Sequence, residues 1–278
     1  MGADQTPPAN SDSWLAKIVA LTRQSASCWR EGEGGTGAAE IAFWSAVSLF
    51  PAAVAAAAIA STVRAVSDRI ADRFNEWLAD AGQTALSDVD STIGEEFADV
   101  VSAPPAATSI AAVVAVWGTM RAAAAACRAV RRVRGAPRRS WWMERFTGFW
   151  LLVGALPLIA GPTAIAVWVE PRLAPVVGFV SAVAVFSLVQ KMSCPHQPWR
   201  HHLIGGLVSA VWFSIISAVA AVAVNWTVGG TAITVATAGT LAALSWLWAA
   251  ACGVTAGAAV AGALDQRNGT TSSPPVDA

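Results

Sequence analysis

Charge is what this chain has least of. Only 13% of its 278 residues are charged and 55% are hydrophobic, whereas soluble domains carry about 25% charged residues. Half the usual surface-forming material is missing, which speaks against an ordinary soluble domain. Tyrosine is absent, so any interfacial aromatic role falls to the 14 tryptophans, whose indoles join an apolar body to one N–H that prefers water. The four cysteines (Cys28, Cys127, Cys194, Cys252) have no framework spacing, which argues against structural disulfides. The opening stretch MGADQTPPANSDS lacks the basic-then-apolar pattern of a cleaved signal peptide, and none is expected. The glycine-rich EGEGGTG (Glu31–Gly37) lacks the Lys-Ser/Thr of a phosphate-binding loop and no strand precedes it. No nucleophile–base–orienter set and no two-carboxylate site stands in the apolar segments, so the expectation is a protein that is not an enzyme and carries no cofactor.

What the chain does have is long apolar runs. A helix rises about 1.5 Å per residue and needs about 20 apolar residues to cross a bilayer. Ala38–Ser61 meets that length with Glu40 as its one ionisable side chain. Ala107–Cys127, Phe146–Val169, Leu173–Val189, Leu203–Val224 and Ala232–Ala263 follow. This predicts an all-α fold, a polytopic membrane helix bundle with six transmembrane helices over 38–264. Residues 1–12 and 265–278 read as disordered tails. Residues 13–37 read as an amphipathic helix, with Trp14, Leu15, Ile18, Leu21 and Trp29 on one face, followed by a glycine-rich hinge. That helix lies either on the inner membrane surface or against the rest of the protein. Between the first two spans, residues 63–105 carry apolar side chains at helical spacing on either side of Gly82. They predict an amphipathic helical hairpin with nine acidic residues on its outward faces.

Orientation follows from the basic residues. With six spans and an interior N-terminus, 14 of the 18 lysines and arginines fall on the inner side, and only Arg64, Arg69, Arg73 and Arg172 fall outside. Both termini are therefore placed in the cytoplasm, and the protein in a bacterial inner membrane.

The segment AAEIAFWSAVSLFP resembles the first-helix signature of the YihY/BrkB family of bacterial inner-membrane proteins. Ala38, Ala39, Ala42, Phe43, Ser48, Leu49, Phe50 and Pro51 match, with Trp44 where tyrosine is usual. Trp117 and Arg121 match a Trp-Ser-x-x-Arg element in which Gly118 replaces serine, and Arg128 and Gly135 also fit. So do Pro195, Trp199, Gly205, Trp212, Trp246, Gly257 and Ala258. Arg131 and Arg134 stand where the family has Asn and Tyr, and Ala259 stands where it has Glu; its Tyr-Gly element before the sixth span is missing. The resemblance covers roughly Trp14–Ala263. It implies a six-helix membrane protein, some of whose relatives look connected to envelope lipid transport. An old label in the family, ribonuclease BN, is regarded as a misassignment.

Candidate residues cluster at the inner end. A carboxylate such as Glu40 at the start of a span is costly unless wet, protonated or paired. Arg121 approaches the same boundary, so either the two pair or each reaches the headgroups independently. Pro51 disturbs helix hydrogen bonding, and Ser48–Pro51 forms either a kink lining a substrate route or a kink that only packs. The expected route comprises Glu40, Trp44, Ser48, Pro51, Trp117 and Arg121. Arg128, Arg131, Arg132, Arg134, Arg138 and Arg139 are expected to contact anionic lipid. Cys194, His196, His201 and His202 suit no known zinc spacing and read as solvated loop residues, so no metal is expected. Gly253 and Gly257 permit close helix approach, internally rather than at a dimer seam. Membrane lipids are the expected partners and nucleic acid is not. The functional expectation is binding or transport of an envelope lipid or amphiphile; the alternative is a non-transporting scaffold whose acidic outer helices bind a partner.

Overall fold

The computed structural model describes residues 14–64, 105–168, 174–227 and 232–268, and every element among them is a helix. In chain order these are α1 (Trp14–Glu31), α2 (Gly34–Arg64), α3 (Pro105–Val133), α4 (Trp141–Trp168), α5 (Ala174–Ser193), α6 (Trp199–Thr227) and α7 (Ala232–Arg267). Each expected span has a helix. Most of the expected acidic hairpin, residues 1–13 and residues 269–278 lie outside the described residues.

Among the described residues, four segments are long and apolar enough to cross a membrane: Ser109–Val133, Pro175–Ser193, Trp199–Val222 and Gly239–Arg267. Their outward faces are apolar as well. Along α6, Leu207, Val211, Ile215, Val219 and Val222 form a stripe, each 43–59% exposed. A soluble monomer rarely shows so long an apolar surface, whereas hydrocarbon tails solvate it without penalty.

The packing is alanine-based. α2 lies antiparallel against α3, and α7 lies against α2, α3, α6 and α1. Ala38, Ala125, Ala129, Ala258 and Ala259 are buried with Ile41, Val130 and Val254 in one core. Small side chains let these helices approach closely, which is how membrane helices gain packing energy when no hydrophobic drive separates them from lipid. A Cβ on Gly37 would lie 2.7 Å from the Ala129 Cβ, and one on Gly118 would lie 2.8 Å from the Ser48 Cβ. At the α6–α7 crossing a Cβ on Gly257 would meet the Gly205 carbonyl at 2.3 Å, and one on Gly253 would meet Trp212 at 2.5 Å. The Gly253/Gly257 pair thus serves an internal contact.

Three boundaries differ from expectation. The hinge shrinks to Gly32 and Glu33, because α2 already begins at Gly34. Its glycines serve close approach: a Cβ on Gly32 would lie 2.4 Å from the Val133 Cα, and one on Gly34 would strike the Trp29 indole. α3 does not end at Cys127 but carries the basic run to Val133. Gly135 then closes it in the left-handed region, φ 67°, with Ala136 N–H bonded to Arg131 O at 2.8 Å, as in a Schellman cap. Finally, α7 continues through Arg267, so the chain from Asp265 does not start as a tail.

Of the two settings expected for α1, the structure shows docking against the rest of the protein. The C-terminal half of α1 docks on α7, with Trp29 Nε1 donating to Thr255 Oγ1 at 3.0 Å and Gln24 bonded to Gln266 and Arg267. Trp14–Ala20 is exposed throughout.

Candidate functional site

The antiparallel register of α2 and α3 decides which charges meet. Gly37 sits against Ala129 and Gly118 against Ser48, so Arg128 is level with Glu40, and Arg121 lies deeper, level with Trp44. The Glu40–Arg121 pair therefore does not form. Glu40 instead accepts from Arg128 at 2.6 Å and from Arg132 at 2.9 Å. Arg128 reaches on to Glu144 of α4 at 3.1 Å, and Arg132 lies 3.6 Å from Glu33. Two carboxylates and two arginines thus clamp α2, α3 and α4 together. Glu40, Arg128 and Arg132 are 23–30% exposed and Glu144 is 18% exposed, which keeps the clamp partly wet.

Arg121 has a different environment. Its guanidinium sits over the Trp44 ring, 4.6 Å from the centroid, and Trp44 meets Trp117 edge-to-face at 5.2 Å. Its Nε is buried without a hydrogen-bond partner. On α4, Arg145 stacks on Trp141 at 3.8 Å. Cation–π stacking of this kind holds a guanidinium in place without consuming its N–H donors. Arg121 and Arg145 line one small cavity of about 50 Å³ with Trp117, Trp141, Arg128 and Glu144. A wider groove of about 510 Å³ adjoins it, lined by Met120, Trp142, Met143, Phe146 and Phe149. Met120 and Arg145 line both spaces, so a small cavity with three arginines in its wall and an apolar groove lie side by side.

Of the expected route residues, Trp44, Trp117 and Arg121 come together here. Ser48 does not: it is buried in the α2–α3 contact, and its Oγ donates back to Ser45 O at 2.9 Å. Pro51 lies within α2, which is helical through Arg64. The serine therefore packs and lines no route.

The expected lipid-contacting arginines are mostly engaged inside the protein. Besides Arg128 and Arg132, Arg131 is buried and donates to Ser193 O at 2.8 Å and to Pro137 O. Arg139 donates to Thr147 Oγ1 and Met192 O. Arg138 is exposed.

Arg134 is the most deeply placed. It is 1% exposed and donates to Asp265, 2% exposed, from Nε at 3.0 Å and Nη2 at 2.5 Å. Its Nη1 lies 3.1 Å from His202 Nδ1. Because arginine only donates, that nitrogen must accept, which puts the His202 proton on Nε2, facing Gln197 O at 3.2 Å. His201 Nδ1 meets the other Asp265 oxygen at 2.6 Å. His201, His202 and Cys194 are therefore buried rather than solvated; His196 alone of the four is exposed. Among the described residues no His/Cys/Asp/Glu group could hold a metal ion.

Sequence reasoning missed Glu144, Arg145 and Asp265. Scarcity could have flagged two of them: Glu144 is the one acid between Asp99 and Glu170, and Asp265 is the next acid after Glu170. In so apolar a chain, each isolated carboxylate needs a cation.

A family model described as virulence factor BrkB matches residues 27–278. No curated protein and no solved structure matches this chain.

Proposed function

The chain belongs to the virulence factor BrkB family and is an integral membrane protein; from that premise we propose that it binds or moves an envelope lipid or similar amphiphile, without catalysing a reaction. In this reading α2 and α4 complete a set of six spans, both termini face the cytoplasm of a bacterial cell, and the site lies at the inner boundary between α2, α3 and α4. Membrane lipids are its partners, and no nucleic acid or cofactor is involved.

The observation that carries the reading is the adjacency of the two spaces. An amphiphile has a polar head and an apolar tail, and Met120 and Arg145 line both a cavity rich in guanidinium groups and a trough of aromatic and methionine side chains. Trp141 and Trp142 are 51% and 75% exposed at this edge, the depth at which indoles favour the headgroup region. The Glu40–Arg128–Glu144 clamp holds the three helices at a fixed spacing around the cavity, so the site is built before a ligand arrives.

Native mass spectrometry of the protein released from its own membrane tests this. The expected result is a stoichiometric lipid that survives mild activation and is lost from the Arg121→Gln variant. Only bulk lipid, equal in both proteins, would reject the reading.

A further inference from the structure

We propose, resting on that reading of the site, that its ligand carries an anionic, phosphate-type headgroup, held between the guanidinium groups of Arg121 and Arg145. The arginines of this region divide into two kinds. Arg128 and Arg132 are compensated by Glu40 and Glu144. Arg121 and Arg145 have no carboxylate or carbonyl partner among the described residues; each is held by an indole face instead. Stacking fixes the plane of a guanidinium while its N–H edge stays open, and that edge matches two oxygens of a phosphate.

The fold adds a second source of positive potential. α4 begins at Trp141, so its first N–H groups lack intrahelical acceptors, and Ser140 and Met143 of this end line the groove. A helix N-terminus carries roughly half a positive charge. Glu144, the one acid at the cavity wall, is already bonded to Arg128 and leaves the local balance positive. A zwitterionic choline head would bring its own cation against two unpaired arginines. An anion meets no such penalty.

The two requirements, charge and tail, are separable. Purified protein in a neutral detergent would be titrated with dodecyl phosphate, with a neutral dodecyl glycoside of equal chain length, and with inorganic phosphate. Quenching or blue shift of tryptophan emission reports occupancy, since Trp44, Trp117 and Trp141 all stand at the site. The expected result is saturable binding of dodecyl phosphate at least about tenfold tighter than of the glycoside, and a loss of about tenfold in each of Arg121→Gln and Arg145→Gln, the size of one charge-assisted hydrogen bond. Arg200→Gln, at the exposed start of α6, should bind as the wild type does. Binding of inorganic phosphate equal to that of dodecyl phosphate would show an anion site without a tail and overturn the proposal. Equal binding of both dodecyl ligands would overturn the anionic headgroup while leaving an amphiphile site standing. No binding of any ligand would reject the underlying reading as well. Circular dichroism of both variants separates lost binding from lost fold, and Arg121→Lys and Arg145→Lys should recover part of the affinity.

Discussion

Replacing Asp265 by alanine should destabilise the bundle more than any other single charge removal among the described residues. The carboxylate is 2% exposed and its partner Arg134 is 1% exposed, so neither can recover hydration when the other is removed. Asp265 accepts from Arg134 Nε and Nη2 through one oxygen and from His201 through the other. Asp265→Ala leaves Arg134 with only His202 and Gln190 for company. Breaking a buried pair from one side typically costs about 3–5 kcal/mol, whereas replacing both members by apolar groups is often near neutral. The wet pair Arg132–Glu40 offers the comparison: at 30% exposure on both sides, Arg132→Gln should cost about 1 kcal/mol or less. Unfolding by SDS titration, followed by tryptophan emission, would measure Asp265→Ala, Arg134→Met, the double variant and Arg132→Gln. The account expects both single losses to be large and the double loss to fall short of their sum by about 2 kcal/mol or more, the signature of direct coupling. Losses below about 1 kcal/mol for both Asp265→Ala and Arg134→Met, or strict additivity, would refute the claim that this pair locks α3 to α7.

Further consequences can be checked separately. Gly257→Ala must push its Cβ against the Gly205 carbonyl at 2.3 Å; it should lower stability by about 1–3 kcal/mol, while Gly178→Ala, with nothing within 4 Å, should be neutral or stabilising by up to about 1 kcal/mol in the same titration. Burial pushes the Cys28 and Cys194 thiols above their ordinary range, so at mildly alkaline pH each holds less thiolate than a free cysteine; alkylation of both should lag well behind His196→Cys, an exposed position, and rise on denaturation. Glu40→Gln, which weakens the clamp without touching Arg121, should lower stability modestly and reduce amphiphile affinity less than Arg121→Gln does, as read by the same tryptophan titration.

The elements were largely legible because apolar length is a local property. Every expected span acquired a helix, and the close-packed Gly253/Gly257 pair needed only its spacing. Which charges meet was not legible, because it depends on register. Counted from the ends of their expected spans, Glu40 and Arg121 are of similar depth, yet the contacts of Gly37 with Ala129 and Gly118 with Ser48 slide the helices until Arg128 is level with Glu40. The buried polar core was hidden for a related reason. Arg134 and Asp265 are 131 residues apart; the first stands in the run expected at anionic lipid and the second opens the expected C-terminal tail, yet the helices carry both inward. The arginine run was read by its average charge, whereas the fold uses its members one by one: some as internal ties, two elsewhere as open donors.

The claim most worth testing is that a lipid occupies the adjoining cavity and groove. A photo-reactive methionine analogue at Met120, which lines both, would be activated in native membranes and the adducts identified by mass spectrometry, with the same chemistry at Val176, an exposed position on α5, as the reference for bulk lipid. The account predicts that adducts at Met120 are enriched in anionic phospholipid over those at Val176, and that Arg121→Gln abolishes the enrichment. Adducts at Met120 with the composition found at Val176, unchanged by Arg121→Gln, would contradict it.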